Sequence, residues 1–143
     1  MSRRISGALA VLLALACASP PAFAEGALAF GTPDDISKNG VAAGYSINQD
    51  SIEEAKKLAL EECRKGKSAP KRTTDLCRVY ETFKGRCFAF AIDPKDGTPG
   101  WGWHLADDLD DAKAIALQRC KATEGASRKG ECRVTKNGCD EKK

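Results

Sequence analysis

The chain has 143 residues, of which 23 are basic, 20 are acidic and seven are cysteines. One ordinary domain has this length, so a multidomain protein is excluded. The formal net charge of +3 is too small for a polycation that binds nucleic acid through bulk charge, and we expect no nucleic-acid partner.

The N-terminal segment has the pattern of a secretory signal peptide, which we predict over residues 1–24. Two arginines precede an apolar run from Gly7 to Ala18, and a small-x-small cleavage site ends at Ala24. This run is too short to span a membrane. Cleavage after residue 24 leaves 119 residues with six cysteines and a net charge of +1, since the leader contains Cys17, two arginines and no acidic residue. We therefore expect a periplasmic or secreted protein with no transmembrane segment in the mature chain, 25–143.

Two other leader types would use the same residues. Ser2-Arg3-Arg4 would start a twin-arginine signal, although Ser6 stands where such signals have a bulky apolar residue. Cys17 would be the lipidated cysteine of a lipobox, although Ala14 stands where leucine is usual. Ordinary secretion is favoured because a disulfide-rich protein oxidises its thiols outside the cytoplasm and gains little from folding before export.

An internal repeat organises the mature chain. Shifted by 57 residues, Asp50–Cys63 matches Asp107–Cys120 with six of 14 positions identical, and both segments read as helices. The tripeptide Cys-Arg-Val follows each of them, at residues 77–79 and 132–134, and begins a strand. Short apolar or aromatic strand candidates precede the helices at Ala27–Gly31, Val41–Asn48, Phe88–Ile92 and Gly100–Leu105.

The repeated unit is therefore strand, turn, strand, helix, loop, strand. We predict an α+β fold with two pseudo-symmetric strand-strand-helix-strand repeats, about 26–85 and 86–140, in one small disulfide-linked domain. Asp50 and Asp107 are the expected helix N-caps. In the third strand, Cys77, Val79, Glu81 and Phe83 are expected to share one face.

Each helix carries a narrow stripe of small residues with apolar spacing, so each can lie close on a sheet. The two stripes are Ile52, Ala55, Ala59 and Cys63, and Leu109, Ala112, Ala116 and Cys120.

Six cysteines allow 15 pairings, and the repeat favours one of them without selecting it. That pairing joins helix end to third strand within each unit, as Cys63–Cys77 and Cys120–Cys132, and joins the two halves through Cys87–Cys139. A zinc site or a redox motif is the alternative, but the chain has no C-x-x-C motif and a single histidine. We expect structural disulfides, no metal and no cofactor.

Catalytic residues are not expected. A hydrolase would have to use His104 with the acids between Asp107 and Asp111, namely Asp107, Asp108, Asp110 and Asp111. Helix capping already explains these acids, and no G-x-S-x-G motif surrounds a serine.

The best candidate binding surface combines aromatic and basic residues. Gly100-Trp101-Gly102-Trp103 would place both indoles on one face of a strand, with Tyr45 at the matching place in the first repeat. A basic loop with Arg64, Lys65 and Lys67 follows the first helix. The alternative is that the indoles are core residues and that the loop charges are merely solvated.

These features resemble the family called domain of unknown function 4189. The resemblance spans roughly Gly26 to Cys139 and is best at Gly102-Trp103, Ala112–Cys120 and Cys132-Arg133-Val134, whereas the first repeat departs with Gly44-Tyr45 and a longer basic loop. It implies an exported bacterial α+β domain of two units held by disulfides, and it supplies no catalytic residues.

We expect a non-enzymatic binding or interaction domain of the bacterial cell envelope, whose partner is a protein or a cell-wall polymer. One alternative is an inhibitor or immunity protein against a wall-degrading enzyme. Others are a weak hydrolase using His104 and the Asp107–Asp111 acids, and a purely structural envelope protein.

Overall fold

The two halves of the chain contain the same order of strands and long helices. A computed structural model describes residues 24–141, so the predicted signal peptide lies outside the described residues except for Ala24. The first half contains β1 Glu25–Gly31, α1 Ile36–Asn39, β2 Ala42–Gln49, α2 Ile52–Lys65, α3 Lys71–Thr74 and β3 Arg78–Lys84. The second half contains β4 Cys87–Ile92, β5 Trp101–Ala106, α4 Leu109–Thr123, a 3₁₀ turn Ala126–Arg128 and β6 Arg133–Cys139. The predicted α+β class is confirmed.

Each half forms one antiparallel sheet of three strands, in the order β2-β1-β3 and β5-β4-β6. The first strand of each half is therefore central, and the other two pair with its edges. Helix α2 covers the outer face of the first sheet, and α4 covers the outer face of the second. The inner faces of the two sheets pack against each other, which gives a helix–sheet–sheet–helix sandwich.

Small residues fill both helix–sheet contacts, as the stripes predicted. Ala55 and Ala59 of α2 and the matching Ala112 and Ala116 of α4 are fully buried on alanine-rich strands. A Cβ at Gly44 of β2 would lie 2.2 Å from the carbonyl oxygen of Ala59. The same holds for Gly102 of β5, whose Cβ would lie 2.7 Å from the carbonyl oxygen of Ala116. Glycine at these two positions lets each helix backbone approach its sheet.

Aromatic residues fill the space between the sheets. The Phe30 ring is at the centre, with ring centroids of Phe90, Trp101 and Trp103 at 5.7, 5.7 and 5.5 Å. The whole inter-sheet core also includes Leu28, Val41, Phe83, Phe88 and Leu105.

The predicted helix N-caps are wrong by one residue in both halves. Ser51, not Asp50, caps α2, because its Oγ accepts the amide hydrogen of Glu54. Asp108, not Asp107, caps α4, because its Oδ1 accepts from the amides of Asp110 and Asp111. Neighbouring Asp and Ser residues are both good caps, and the path of the backbone decides between them.

The prediction that four residues of the third strand share a face is also wrong. Ala29 pairs with Val79, but Leu28 pairs with Glu81, so Tyr80 is an extra residue in a β-bulge. The bulge reverses the alternation of the strand, and Phe83 therefore packs between the sheets whereas Cys77 packs under α2. A matching shift occurs in β6.

The six cysteines pair as the repeat favoured. Cys63–Cys77 and Cys120–Cys132 tie the end of each long helix to the third strand, each with a Cα–Cα distance of 6.0 Å. The third bridge, Cys87–Cys139, does not join the halves as expected. Both of its cysteines belong to the second sheet, where they are directly paired residues of β4 and β6.

Candidate functional site

The three aromatic residues singled out from the sequence lie in the inter-sheet core and are only half-buried. Trp101 and Trp103 pack on Phe30, and the Tyr45 ring lies 4.6 Å from that of Phe88. The structure places these rings in core packing, with part of each ring at the edge of the sandwich.

The basic residues of the predicted surface separate from the aromatic ones. Arg64 and Lys65 lie exposed on the last turn of α2, and the Lys65 ammonium pairs with Glu61 at 3.2 Å. Lys67 lies farther along the loop, on the wall of a cleft. Of the six residues proposed for one surface, Lys67 alone reaches that cleft, whereas the Tyr45 ring contacts the ammonium of Lys136 at 5.2 Å.

His104 and the neighbouring acids are held in separate structural contacts. Asp108 caps α4, Asp107 pairs with Arg86 at 3.3 Å, and Asp110 lies 3.8 Å from Lys113. Burial lowers the pKa of His104, and the nearby charges of Arg119 and Arg86 lower it further. His104 is therefore surrounded by cationic rather than carboxylate partners, which does not suit a general base oriented by an acid.

A cleft of about 630 Å³ lies at one end of the sandwich, and we call it the three-loop cleft. Three connecting segments, which we call its loops, form most of its walls: residues 36–40, which are the short helix α1 and Gly40, residues 67–70 and residues 93–98. Thr135 and Lys136 of β6 complete the lining. The first loop lies next to the other two, since a Cβ added at Gly40 would lie 3.7 Å from the Ser68 carbonyl oxygen and one added at Gly97 would lie 3.9 Å from that of Ser37. Both glycines have positive φ, of +68° and +82°, which suits glycine in these turns.

The floor of the three-loop cleft is apolar. It is the end of the inter-sheet core, to which both sheets contribute. Its residues are Val41, which directly precedes β2, Ala43 of β2, and Phe90 and Ile92 of β4. Packed strands position this floor, so it is expected to be more rigid than the loops above it.

Four lysines line the cleft, and three of them carry unpaired charge. Lys136 of β6 donates to Glu62, which neutralises it. Lys38, Lys67 and Lys95 are exposed and form no ion pair within residues 24–141. Each comes from a different loop of the cleft.

Two aspartates also line the cleft, and one of them is neutralised. The Arg128 guanidinium donates two hydrogen bonds to the buried Asp93 carboxylate, at 2.7 and 3.0 Å, and holds the pKa of Asp93 at about 2. Asp96 is exposed on the same loop as Lys95. Lys38, Lys67 and Lys95 are opposed by Asp96 and by Asp35, which interacts with Lys38, so the rim keeps a small net positive charge.

Sequence reasoning missed this cleft. The connection between the first two strands of each repeat is predicted only as a turn, and Lys67 is predicted in a separate basic loop. One available signal was that each of these three loops contains a lysine. No group of three or more His, Cys, Asp or Glu side chains within residues 24–141 is arranged to hold a metal ion.

The comparison with known proteins shows the family of this chain. The family model described as "Domain of unknown function (DUF4189)" matches residues 25–139. The chain belongs to this family. This DUF4189 domain has no match among the curated proteins. Among solved structures it is similar to the NMR structure of Rv1813c from Mycobacterium tuberculosis, with 18% identity, a TM-score of 0.44 and 96% of each chain covered.

The three disulfides of this DUF4189 domain are consistent with a protein outside the cytoplasm. Within residues 24–141, no helix has the length and apolar character that crossing a bilayer requires.

Proposed function

We propose that the protein is an exported, non-enzymatic binding domain of the bacterial cell envelope and that the three-loop cleft is its binding site. The observation that carries this proposal is the cleft itself, in which an apolar floor lies beneath a rim of unpaired lysines. Small-molecule sites have this combination of a mostly apolar surface and a few convergent polar groups. A volume of about 630 Å³ is within the usual range for such sites.

Binding is favoured over catalysis by the way in which the reactive side chains are used. The six cysteines within residues 24–141 are paired in disulfides, Asp108 caps α4, and Asp107 and Asp110 pair with basic residues. None of the described residues that line the cleft is a histidine or a cysteine. The lysines remain, and they suit recognition of an anion.

Export is supported by the leader pattern and by the disulfides. The full chain is expressed in a bacterial host, fractionated and measured by intact mass spectrometry before and after reduction. We expect a periplasmic or secreted product that starts at Glu25 and is alkylated at six cysteines only after reduction. A chain without residues 1–24 is the control and should remain in the cytoplasm. A cytoplasmic full-length product with free thiols would contradict the proposal.

The binding site is tested on the processed protein by amide NMR. A small-molecule extract of bacterial envelope is titrated into the labelled protein, and the perturbed amides are mapped. We expect them in the three loops 36–40, 67–70 and 93–98. Perturbation confined to other surfaces, such as the end of α2 at Arg64 and Lys65, would show that the cleft is not the site.

A further inference from the structure

We propose that the three-loop cleft binds a small amphiphile with one anionic head group, a carboxylate or a phosphate monoester, and one short apolar tail. This inference rests on the proposed function and narrows it to a ligand class. The lysine rim would hold the head group, and the end of the inter-sheet core would hold the tail.

The net positive charge of the rim favours an anionic head group. Lys38, Lys67 and Lys95 come from the three loops that line the same cleft, and no carboxylate within residues 24–141 forms a salt bridge with their ammonium groups. The opposing charges are Asp96, which is exposed, Asp35, whose carboxylate interacts with the Lys38 charge, and Asp93, which is neutralised by Arg128. Lysine ammonium groups on flexible side chains act as point charges, so they can bind either a planar carboxylate or a tetrahedral phosphate.

The apolar floor favours an apolar tail on the ligand over a second polar group. The half-buried Ala43 and Ile92 present hydrocarbon surface at the base of the cleft, beside the buried Val41 and Phe90. Covering such surface with an alkyl or aryl group is favourable in proportion to the area removed from water. A bare anion, such as acetate or inorganic phosphate, would leave this surface uncovered.

The surroundings of the cleft favour a free molecule over a membrane surface. Its mouth is formed by small, polar and charged residues, including Ser37, Ser68 and Thr98. The exposed large hydrophobic residues of the described chain are Leu58, Leu76 and Tyr80, and none of them lines the cleft. An interfacial protein needs exposed apolar residues next to its basic ones, in order to enter the acyl region.

The test is calorimetric and NMR titration of the processed protein with octanoate and with octyl phosphate. We expect perturbation of the three loops, and at least about tenfold weaker binding of the neutral analogue octanamide and of the tailless anions acetate and phosphate. The variant Lys38→Ala/Lys67→Ala/Lys95→Ala should bind octanoate and octyl phosphate about tenfold more weakly. The matched control Lys57→Ala/Lys121→Ala/Lys129→Ala removes the same charge from exposed sites outside the cleft and should bind like the wild type.

Three results would overturn the inference. Octanamide binding as well as octanoate would show that the head-group charge does not matter. Equal losses in the two triple variants would show that the rim lysines have no special role. Binding to phosphatidylglycerol vesicles without binding to octanoate or octyl phosphate would show that the ligand is a lipid surface. If envelope extract perturbs the cleft loops whereas both amphiphiles do not, the ligand class is wrong and the proposed function remains; if neither perturbs them, the proposed function fails as well.

Discussion

The two sheets join the start of the central strand to the end of the third strand through different contacts. In the first sheet, Glu25 at the start of β1 pairs with Lys84 at the end of β3 through an ion pair of 3.1 Å. In the second sheet, the corresponding residues of β4 and β6 are Cys87 and Cys139, which form a disulfide. The third strand of the first sheet leads directly into β4, so the chain itself restrains its end. A covalent bond restrains the end of β6.

The loops between the first two strands also differ in how they are held. In the first half, the buried Thr73 hydroxyl donates to the Asn39 carbonyl at 2.8 Å. In the second half, Arg128 reaches the corresponding loop and pairs with the buried Asp93. The strand ends are thus joined by an ion pair in the first half and by a disulfide in the second. The loops are held by a neutral hydrogen bond in the first half and by an ion pair in the second. The comparison shows that the repeat conserves topology rather than chemistry.

Removal of the Cys87–Cys139 bridge is expected to have the largest effect. The disulfide closes a separation of 52 residues, which corresponds to about 4 kcal/mol on the loop-entropy model. Cys87→Ala/Cys139→Ala should therefore lower the free energy of unfolding by about this amount in urea denaturation. Glu25→Ala/Lys84→Ala should lose at most about 1 kcal/mol, because that ion pair is partly exposed. Equal losses in the two variants would refute the contrast between the sheets.

The glycines under the two long helices provide the next test. Gly44→Ala should cost about 3 kcal/mol, because its Cβ would meet Ala59 O and Cys63 N at 2.2 and 2.3 Å. Gly102→Ala should cost about 2 kcal/mol, because its Cβ would lie 2.7 Å from Ala116 O and 2.6 Å from Cys120 N. Gly125→Ala is the control, with no atom within 4 Å of the new Cβ and a negative φ of −66°. Thermal and urea unfolding of the three variants measure how much stability each one loses. A larger loss in Gly125→Ala than in the other two would contradict the prediction.

The sequence predicted the repeated elements because helix and strand periodicity are local properties. The alanine stripe with Ala59 and Ala116 needs no knowledge of the other half. The bulge at Tyr80 was missed because one extra residue is visible only against the partner strand. The three-loop cleft was missed for a related reason. Its floor joins Val41 to Phe90, and these residues meet only when the two sheets pack face to face.

Acid titration separates the ionic loop contact from the neutral one. Hydrogen bonds from Arg128 lower the folded-state pKa of Asp93 to about 2 from 3.8, so the folded state binds this proton more weakly than the unfolded chain. The contribution to stability is therefore full above about pH 4 and is lost as the pH falls towards 2. Urea midpoints measured from pH 7 to 2 should fall less steeply below pH 4 in Asp93→Asn than in the wild type.

The matched variant in the first half is Thr73→Val, which removes the hydroxyl donor and keeps the shape of the side chain. The free energy of unfolding should fall by about 1–2 kcal/mol. This loss should be the same at every pH, since neither Thr73 nor the Asn39 carbonyl titrates in this range. A Thr73→Val loss that changes between pH 4 and pH 2, or an Asp93→Asn profile parallel to the wild type, would refute the distinction.

The smallest effect is expected at Asp140, which links the halves from the end of β6. Its Oδ1 accepts the Asn48 amide hydrogen at 2.9 Å. Burial raises the pKa of Asp140, and the charge of Glu25 raises it further, against the lowering effect of hydrogen bonds from the Asn48 and Gly85 backbone amides. The folded state thus binds this proton more tightly than the unfolded chain, and the ionised form weakens folding above the raised pKa.

Asp140→Asn keeps the acceptor for Asn48 and removes the buried charge. The variant should have a slightly higher urea midpoint than the wild type at pH 7, and the difference should shrink as the pH falls and Asp140 becomes protonated. Asp140→Ala, which also removes the acceptor, is the comparison variant and should be less stable than Asp140→Asn at both ends of the titration. A lower midpoint for Asp140→Asn at pH 7 would mean that the ionised carboxylate stabilises the contact between the two halves. In that case the halves would be joined by charge as well as by their aromatic core.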